Sequence, residues 1–292
     1  MFKWIDRHIK WVFTIPTVSI ILFLVVFPLA YTFFISFFDW GMSGNAQMKF
    51  VGLDNYRYLF ASERFWEAVG RTFLFSAVGI GIEGILGVAL ALYLNREFKG
   101  KNMVKTAFLL PMVATPVAVG LVWRLIYEPS IGIANQICMW LGVGRQPWLG
   151  ALDMALWALL IVDIWQWTPM VMLVVLAGAT ALPLDVLESA QVDGAGKWQL
   201  VRNIILPLLR PAILTALLLR MIDILKTFDL IYSTTQGGPG YATETLNILS
   251  YREAFEYFKF GRASATLVVF FLTVFLIAIV FIKFKNKVEV EY

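Results

Sequence analysis

The chain has 292 residues, 60% of them hydrophobic, and a mean hydropathy of +0.75; apolar blocks this long exceed what a soluble core uses and read as a polytopic membrane protein. A net charge of +4 and a pI near 9.1 do not point to nucleic acid, because the basic residues sit beside the apolar blocks rather than in one patch. One cysteine, Cys138, excludes an intramolecular disulfide, one histidine, His8, removes the usual metal-ligand clusters, and no G-x-x-x-x-G-K-[ST] run is present to hold a nucleotide.

A helix crosses the hydrocarbon core with about 20 apolar residues, which predicts spans at residues 11–38, 72–94, 103–126, 156–178, 212–232 and 263–282. Continuous rather than alternating blocks predict an all-α architecture, a single transmembrane domain over residues 1–292 with six helices. The first block is too long for a signal peptide and lacks a small-residue cleavage site, so it is expected to be retained as a span. Residues 40–70 are expected to lie along the membrane surface, with a short helix at 63–69 capped by Ser62 and carrying Glu63 in its first turn.

Trp11, Trp40, Trp140, Trp148 and Trp157 flank span ends, where amphipathic rings suit the headgroup layer. Glu83 lies in the glycine-rich stretch 79–87, which is expected to serve close helix packing. Arg124, near the end of its span, is expected to snorkel to the interface. In the fourth span Asp163, Gln166, Trp167 and Met170 recur at i, i+3, i+4 and i+7 and share one face.

Between the fourth and fifth spans, residues 183–210 read as helix, turn, helix. Asp185 is the expected cap of a first helix carrying Val186, Leu187 and Ala190; Gly194 and Gly196 permit the reversal; Trp198, Val201, Ile204 and Ile205 follow at helical spacing; Pro207 and Pro211 redirect the chain into the next span. Such a helix either rests on headgroups or offers a soluble partner an apolar face and a carboxylate. Trp198 is assigned packing only.

The fifth span holds Arg220, Asp223, Lys226 and Asp229. Arg220 with Asp223, and Lys226 with Asp229, are spaced i, i+3 and can neutralise each other, or line a wet cavity. With about 1.5 Å rise per residue, Asp223 falls near mid-bilayer if the span starts near Pro211. Sugar hydroxyls need paired donors and acceptors such as Asp, Gln and Arg, and the apolar face of a pyranose stacks on an aromatic ring, so the carboxylate, amide and indole of Asp163, Gln166 and Trp167 on one face of the fourth span suit a sugar.

Basic residues beside the spans alternate onto one side: Lys3, Arg7 and Lys10; Arg96, Lys99, Lys101 and Lys105; Lys197, Arg202 and Arg210; Lys283, Lys285 and Lys287. By the positive-inside rule both termini and the 183–210 loop are cytoplasmic.

Glu188, Ala190, Asp193, Gly194, Ala195, Ile204, Leu206, Pro207 and Pro211 resemble, in order and spacing, the cytoplasmic "EAA" coupling loop of ABC importer permeases, with Ser189 in place of the usual second alanine. The run Phe50, Val51, Gly52, Leu53, Asp54, Asn55, Tyr56 is similar to a first outer loop of the carbohydrate-uptake subfamily, which includes maltose and glycerol-phosphate importer permeases. So are Trp165 and Gln166 with Pro169, then Ile222, Asp223, Lys226, Phe228 and Asp229, then Gly237, Gly238, Pro239 and Gly240 with Thr243, so that most of the chain is covered. Arg71 stands where that subfamily commonly has asparagine.

The resemblance implies a type I ABC importer permease fold, like that of methionine importer permeases, in the bacterial cytoplasmic membrane. It assigns ATPase coupling to Glu188, Ala190, Asp193, Gly194, Ala195, Leu206 and Pro207, and the substrate pathway to Asp163, Gln166, Trp167, Arg220, Asp223 and Thr227. It implies no catalytic residue, metal or cofactor in this chain, ATP and Mg being used by partner ABC ATPase subunits. The further implied partners are a second permease subunit, an extracytoplasmic solute-binding protein docked on outer loops that include residues 237–240, a carbohydrate-type solute and membrane lipid, with no nucleic acid. On the residues alone two alternatives stay open. One is an ion-coupled secondary transporter using Asp223, Asp229 or Glu83, and the other is a membrane scaffold recruiting a cytoplasmic partner.

Overall fold

The computed structural model describes residues 2–42 and 47–290, with side-chain surroundings for 10–42 and 47–287. Its contacts divide into two units, Met1–Trp66 with Leu249–Leu272, and Glu67–Ile248 with Thr273–Tyr292.

In the first unit, α1 (Phe2–Ile35) presents an almost unbroken apolar surface from Trp11 onward, as a helix solvated by lipid does. It ends in a two-residue antiparallel ladder, β1 (Phe38–Asp39) with β2 (Lys49–Phe50), followed by α2 (Asp54–Ala61). Asn55 holds this corner: its Nδ2 donates to the carbonyls of Ser36 and Phe38, each at 2.9 Å, satisfying backbone acceptors that α1 leaves at its end. Ser62 closes α2 as its C-cap rather than starting a separate short helix, and Glu63 begins a 32-residue helix, α3 (Glu63–Leu94). The expected short helix at 63–69 is therefore the first two turns of the second span. The unit is completed by the second half of α12 (Leu246–Tyr251), a π-turn at Arg252–Glu256 and the start of α13 (Phe260–Val290).

The second unit contains most of α3, then α4 (Lys101–Val113), α5 (Pro116–Ile126), α6 (Ile133–Trp140) and α7 (Ala155–Thr180). After these come α8 (Leu184–Val192), α9 (Lys197–Leu200), a π-turn at Val201–Ile205, α10 (Leu206–Leu225) and α11 (Asp229–Thr234). Among the described residues five helical stretches are long and apolar enough to cross a membrane, and α4 with α5 makes a sixth candidate bent by 98°.

That bend corrects the continuous span expected at 103–126. Thr115 precedes Pro116, whose ring disfavours helical geometry in the residue before it, and Ala114 and Thr115 are both extended. Pro116 then opens α5 at a position where a missing N–H costs nothing, and Thr115 Oγ1 accepts from Ala118 N at 3.4 Å. The fifth span shifts the other way. Lys197–Leu225 runs as one helical stretch through Pro207 and Pro211, so the prolines do not redirect the chain, and the helix stops at Leu225 instead of reaching 232. The π-turn just before Leu206 absorbs the irregularity.

α7 is the most buried of the spans in this unit, packed against α10, α4, α5 and α11 and exposed along the stripe of Trp157, Ile161 and Trp165. Two apolar clusters flank it, one around Phe75, Leu159, Ile224 and Ile231, the other around Ala91, Met172, Val175 and Leu209. Between them the glycine-rich part of α3 comes close to α7: a Cβ at Gly87 would lie 2.7 Å from Val171 Cβ. Trp148, expected in the headgroup belt, instead stacks on Tyr127 at 5.2 Å and donates Nε1–H to Asn135 Oδ1 at 2.9 Å, whereas Trp140 is left exposed.

Candidate functional site

Three helices contribute one charged side chain each at the level between the two apolar clusters. Arg220 of α10 donates from Nε to Glu83 Oε2 of α3 at 2.6 Å and from Nη2 to Glu83 Oε1 at 3.1 Å, and its Nη2 also donates to Asp163 Oδ2 of α7. None of the three is more than 1% exposed. The guanidinium suits this place because its fixed fork meets one carboxylate with two bonds and still has a donor for the second. A lone charge here would cost several kcal/mol, on the order of the barrier to burying any ionised group in hydrocarbon.

Asp163 and Arg220 of this cluster form the inner wall of a cavity of about 450 Å³ also lined by Trp167, Asp223, Lys226, Thr227 and Asp229, with Pro116, Phe228 and Leu230. That volume is within the usual range of small-molecule sites, about 300–1,000 Å³. The Arg220 guanidinium carbon lies 5.3 Å from the centre of the Trp167 ring, which fixes the indole beside the charge. Lys226 Nζ lies 3.5 Å from Asp223 Oδ1, both about half exposed, where α10 ends and the chain leaves the helix before α11.

Five of the six residues expected in the pathway therefore line one cavity. Gln166 does not: it is buried and its Nε2 donates to the Ala114 carbonyl at 3.1 Å, satisfying an acceptor released by the break between α4 and α5. The expected pairing within the fifth span is also corrected. Arg220 turns to Glu83 and Asp163 on other helices, and Lys226 pairs with Asp223. Glu83, read from sequence as serving helix packing or, in the secondary-transporter alternative, ion coupling, bridges to Arg220 in this cluster. The signal was available, since Glu83 is the one ionisable residue in the apolar run 72–94. Asp223 sits two residues from the helix end rather than in the middle of its span. Among the described residues no group of three His, Cys, Asp or Glu side chains converges on a metal position.

The predicted coupling loop is α8, a tight turn, α9 and the π-turn. Pro183, not Asp185, is the N-cap of α8, and Asp185 lies in the first turn, where a carboxylate still favours the helix N-terminus. Gly194 has φ +85°, and the turn is closed by Asp193 N to Ser189 O at 3.0 Å and Ala195 N to Ala190 O at 2.9 Å. Gly196 has φ −68° and needs no glycine for its backbone; its N–H is taken by Gln199 Oε1 at 2.8 Å. Glu188, Asp193 and Gly194 are exposed, Ala190, Ala195, Leu206 and Pro207 half-buried. The apolar side chains Val192 and Trp198 are 87% and 71% exposed, so Trp198 does not pack inside the chain as expected from sequence. Trp198→Ala is expected to leave the thermal midpoint of the isolated chain unchanged to within a degree or two, by differential scanning fluorimetry in detergent.

A wider cavity of about 740 Å³ is lined by Arg124, Glu128, Gly238, Pro239 and Thr234 among others. Glu128 accepts from Ile131 N and Ser130 N, each at 2.6 Å, and these backbone bonds hold its carboxyl below the usual range. The loop carrying Gly238 is tied by Thr243, whose Oγ1 donates to Gly238 O at 2.8 Å and shares a bond with Thr235 Oγ1 at 2.7 Å.

The sequence model of a family described as the inner membrane component of binding-protein-dependent transport systems matches residues 83–285. A probable ABC transporter permease of Sinorhizobium fredii is 38% identical over 268 residues, covering 91% of this chain and 86% of its own. A trehalose/maltose transport system permease of Thermococcus litoralis is 35% identical over 284 residues, 96% and 95% of the two chains. Among solved structures, a chain of a bacterial ABC transporter involved in import of the acidic polysaccharide alginate superposes with a TM-score of 0.86 at 24% identity over 98% of both, a likeness of fold.

Proposed function

This chain belongs to the binding-protein-dependent transport system inner membrane component family, and from that premise we propose that it moves an uncharged sugar or related polyhydroxy solute through the cavity walled by Asp163, Trp167, Arg220, Asp223 and Thr227. The observation that carries the reading is the chemistry of that wall: carboxylates, a guanidinium and a hydroxyl around an indole, the complement of a hydroxylated ring with one apolar face. The 35% identical relative named for trehalose and maltose supports the solute class. Three carboxylates, Asp163, Asp223 and Asp229, face two cations, Arg220 and Lys226, a balance that disfavours an anionic solute.

ATP is hydrolysed by separate ATPase subunits, whose grip falls on the α8 to α9 loop. Its exposed Val192 and Trp198 offer apolar area, and Glu188 offers a carboxylate. A second permease completes the pore, and a solute-binding protein delivers the sugar from outside, with the Gly238 and Pro239 loop within its reach. The Lys and Arg groups support a cytoplasmic position for both termini and the coupling loop. ATP-driven closure of the ATPases pulls the loop and shifts the population between inward-facing and outward-facing packings.

The test is ATP-dependent uptake by the complete transporter in liposomes, with its binding protein and labelled trehalose, maltose and glycerol 3-phosphate. Uptake of at least one of the two sugars and none of the phosphate ester is the expected result; uptake of the ester alone overturns the solute class. Asp223→Asn should raise the half-saturation concentration about tenfold, the loss of one charged hydrogen-bond acceptor, while the ATPase subunits still co-purify. Loss of the subunits from that variant would make Asp223 structural.

A further inference from the structure

A third cavity lies wholly within the first unit, away from the candidate pathway and the predicted coupling loop. It has a volume of about 270 Å³ and is lined by Tyr58, Leu59, Ser62, Arg64, Phe65, Leu249, Glu253, Tyr257, Lys259 and Arg262. Three cations reach it from two helix starts: Arg64 from the first turn of α3, Lys259 and Arg262 from the residues that open α13. Two of them are seated on aromatic rings. The Arg262 guanidinium carbon is 3.7 Å from the centre of the Tyr58 ring, and Arg64 Nη1 donates to Tyr257 Oη at 3.2 Å. The Tyr58 ring orients the Arg262 guanidinium without cancelling its charge. Glu253 is the one carboxylate in the lining; it is 8% exposed and its Oε2 already accepts from Thr266 Oγ1 at 2.8 Å. The lining thus carries three cations against one carboxylate.

We propose that this cavity seats the phosphate of an anionic phospholipid headgroup. The position argues for a lipid source: α3 and α13 are each long and apolar enough to cross the hydrocarbon, and the cavity lies at the first turn of each, ahead of their apolar runs and beside the membrane-surface segment read at 40–70. The surroundings agree, because Phe60, Trp66, Phe255 and Phe258 are exposed on the same segments and present rings to an interface. Guanidinium forks supply paired donors to phosphate oxygens, and Lys259 adds a point charge. The likeness to basic interhelical headgroup pockets is one of chemistry: cations held between span ends where acyl chains can stay in the bilayer.

The experiment is native mass spectrometry of the complete transporter released from nanodiscs containing phosphatidylglycerol and phosphatidylcholine. Wild type is expected to keep one more phosphatidylglycerol than the Lys259→Gln, Arg262→Gln double variant, whose affinity for the short-chain form falls at least about tenfold. Phosphatidylcholine retention should not differ. Should the double variant fail to assemble, Lys259→Gln alone, which removes a half-buried charge and no ring contact, gives the same readout at lower amplitude. Equal phosphatidylglycerol retention by wild type and variant overturns the proposal. So does displacement of the retained lipid by millimolar inorganic phosphate, which would make this a free-anion site. Loss of binding-protein affinity with lipid retention unchanged would assign the cluster to protein docking and also overturn it. None of these outcomes depends on which solute is carried.

Discussion

Arg220→Met is expected to lower the thermal midpoint of the purified chain by roughly 10 °C, because it leaves Glu83 and Asp163 facing each other without a counter-charge, a change that costs about 3–5 kcal/mol when one partner of a buried pair is removed. All three groups are at most 1% exposed, so solvent does not moderate the loss. The same replacement combined with Glu83→Gln and Asp163→Asn should recover most of the midpoint, since uncharged side chains of similar size fill the space without uncompensated charge. Uptake should stay lost in the rescued triple variant, because Arg220 and Asp163 also face the cavity beside Trp167. Size-exclusion profiles after heating measure the first effect and liposome uptake the second. A single Arg220→Met variant with an unchanged midpoint would show that the cluster does not hold the three helices.

The second large effect is expected at the turn between α8 and α9. Gly194→Val places a β-branched residue at φ +85°, a region costing an L residue about 1–2 kcal/mol and more for a branched one. No atom lies within 4 Å of the added Cβ, so the whole effect is on the backbone of the turn. ATP-dependent uptake should fall at least tenfold while membrane insertion and midpoint stay near wild type. Gly194→Asn is the control: asparagine tolerates the left-handed region, and uptake should be largely kept. Glu188→Lys, which reverses an exposed charge on α8, should likewise abolish uptake without destabilising the spans. Normal uptake by both Gly194→Val and Glu188→Lys would remove the coupling role from this loop.

The apolar blocks were legible because hydrocarbon solvation is a property of composition alone, which is why the fourth span, read as 156–178, appears as Ala155–Thr180. The turn at Gly194 was legible for a similar reason: a glycine with positive φ leaves a local signature. What escaped is what depends on other helices. Arg220 was paired along its own helix with Asp223, but its partners stand 137 and 57 residues away, and no spacing rule reaches that far. Trp198 was assigned to packing because a large apolar ring normally buries; its exposure shows only once the neighbouring helices are in place. The break at Thr115 and Pro116 was present in the sequence, but a hydropathy window averages over it.

The ion cluster also bears on how such a chain can move. α3, α7 and α10 are joined at one height by the Arg220 ion pairs, so any relative displacement of the three helices at that level has to break buried charged bonds. Two joints flank the cavity where helical hydrogen bonding is interrupted: Ala114 and Thr115 between α4 and α5, and residues 226–228 between α10 and α11. Gln166 reaches from α7 to the first joint through the Ala114 carbonyl, and Lys226 and Thr227 belong to the second. Bending at those two joints would reshape the cavity without breaking the Arg220 ion pairs.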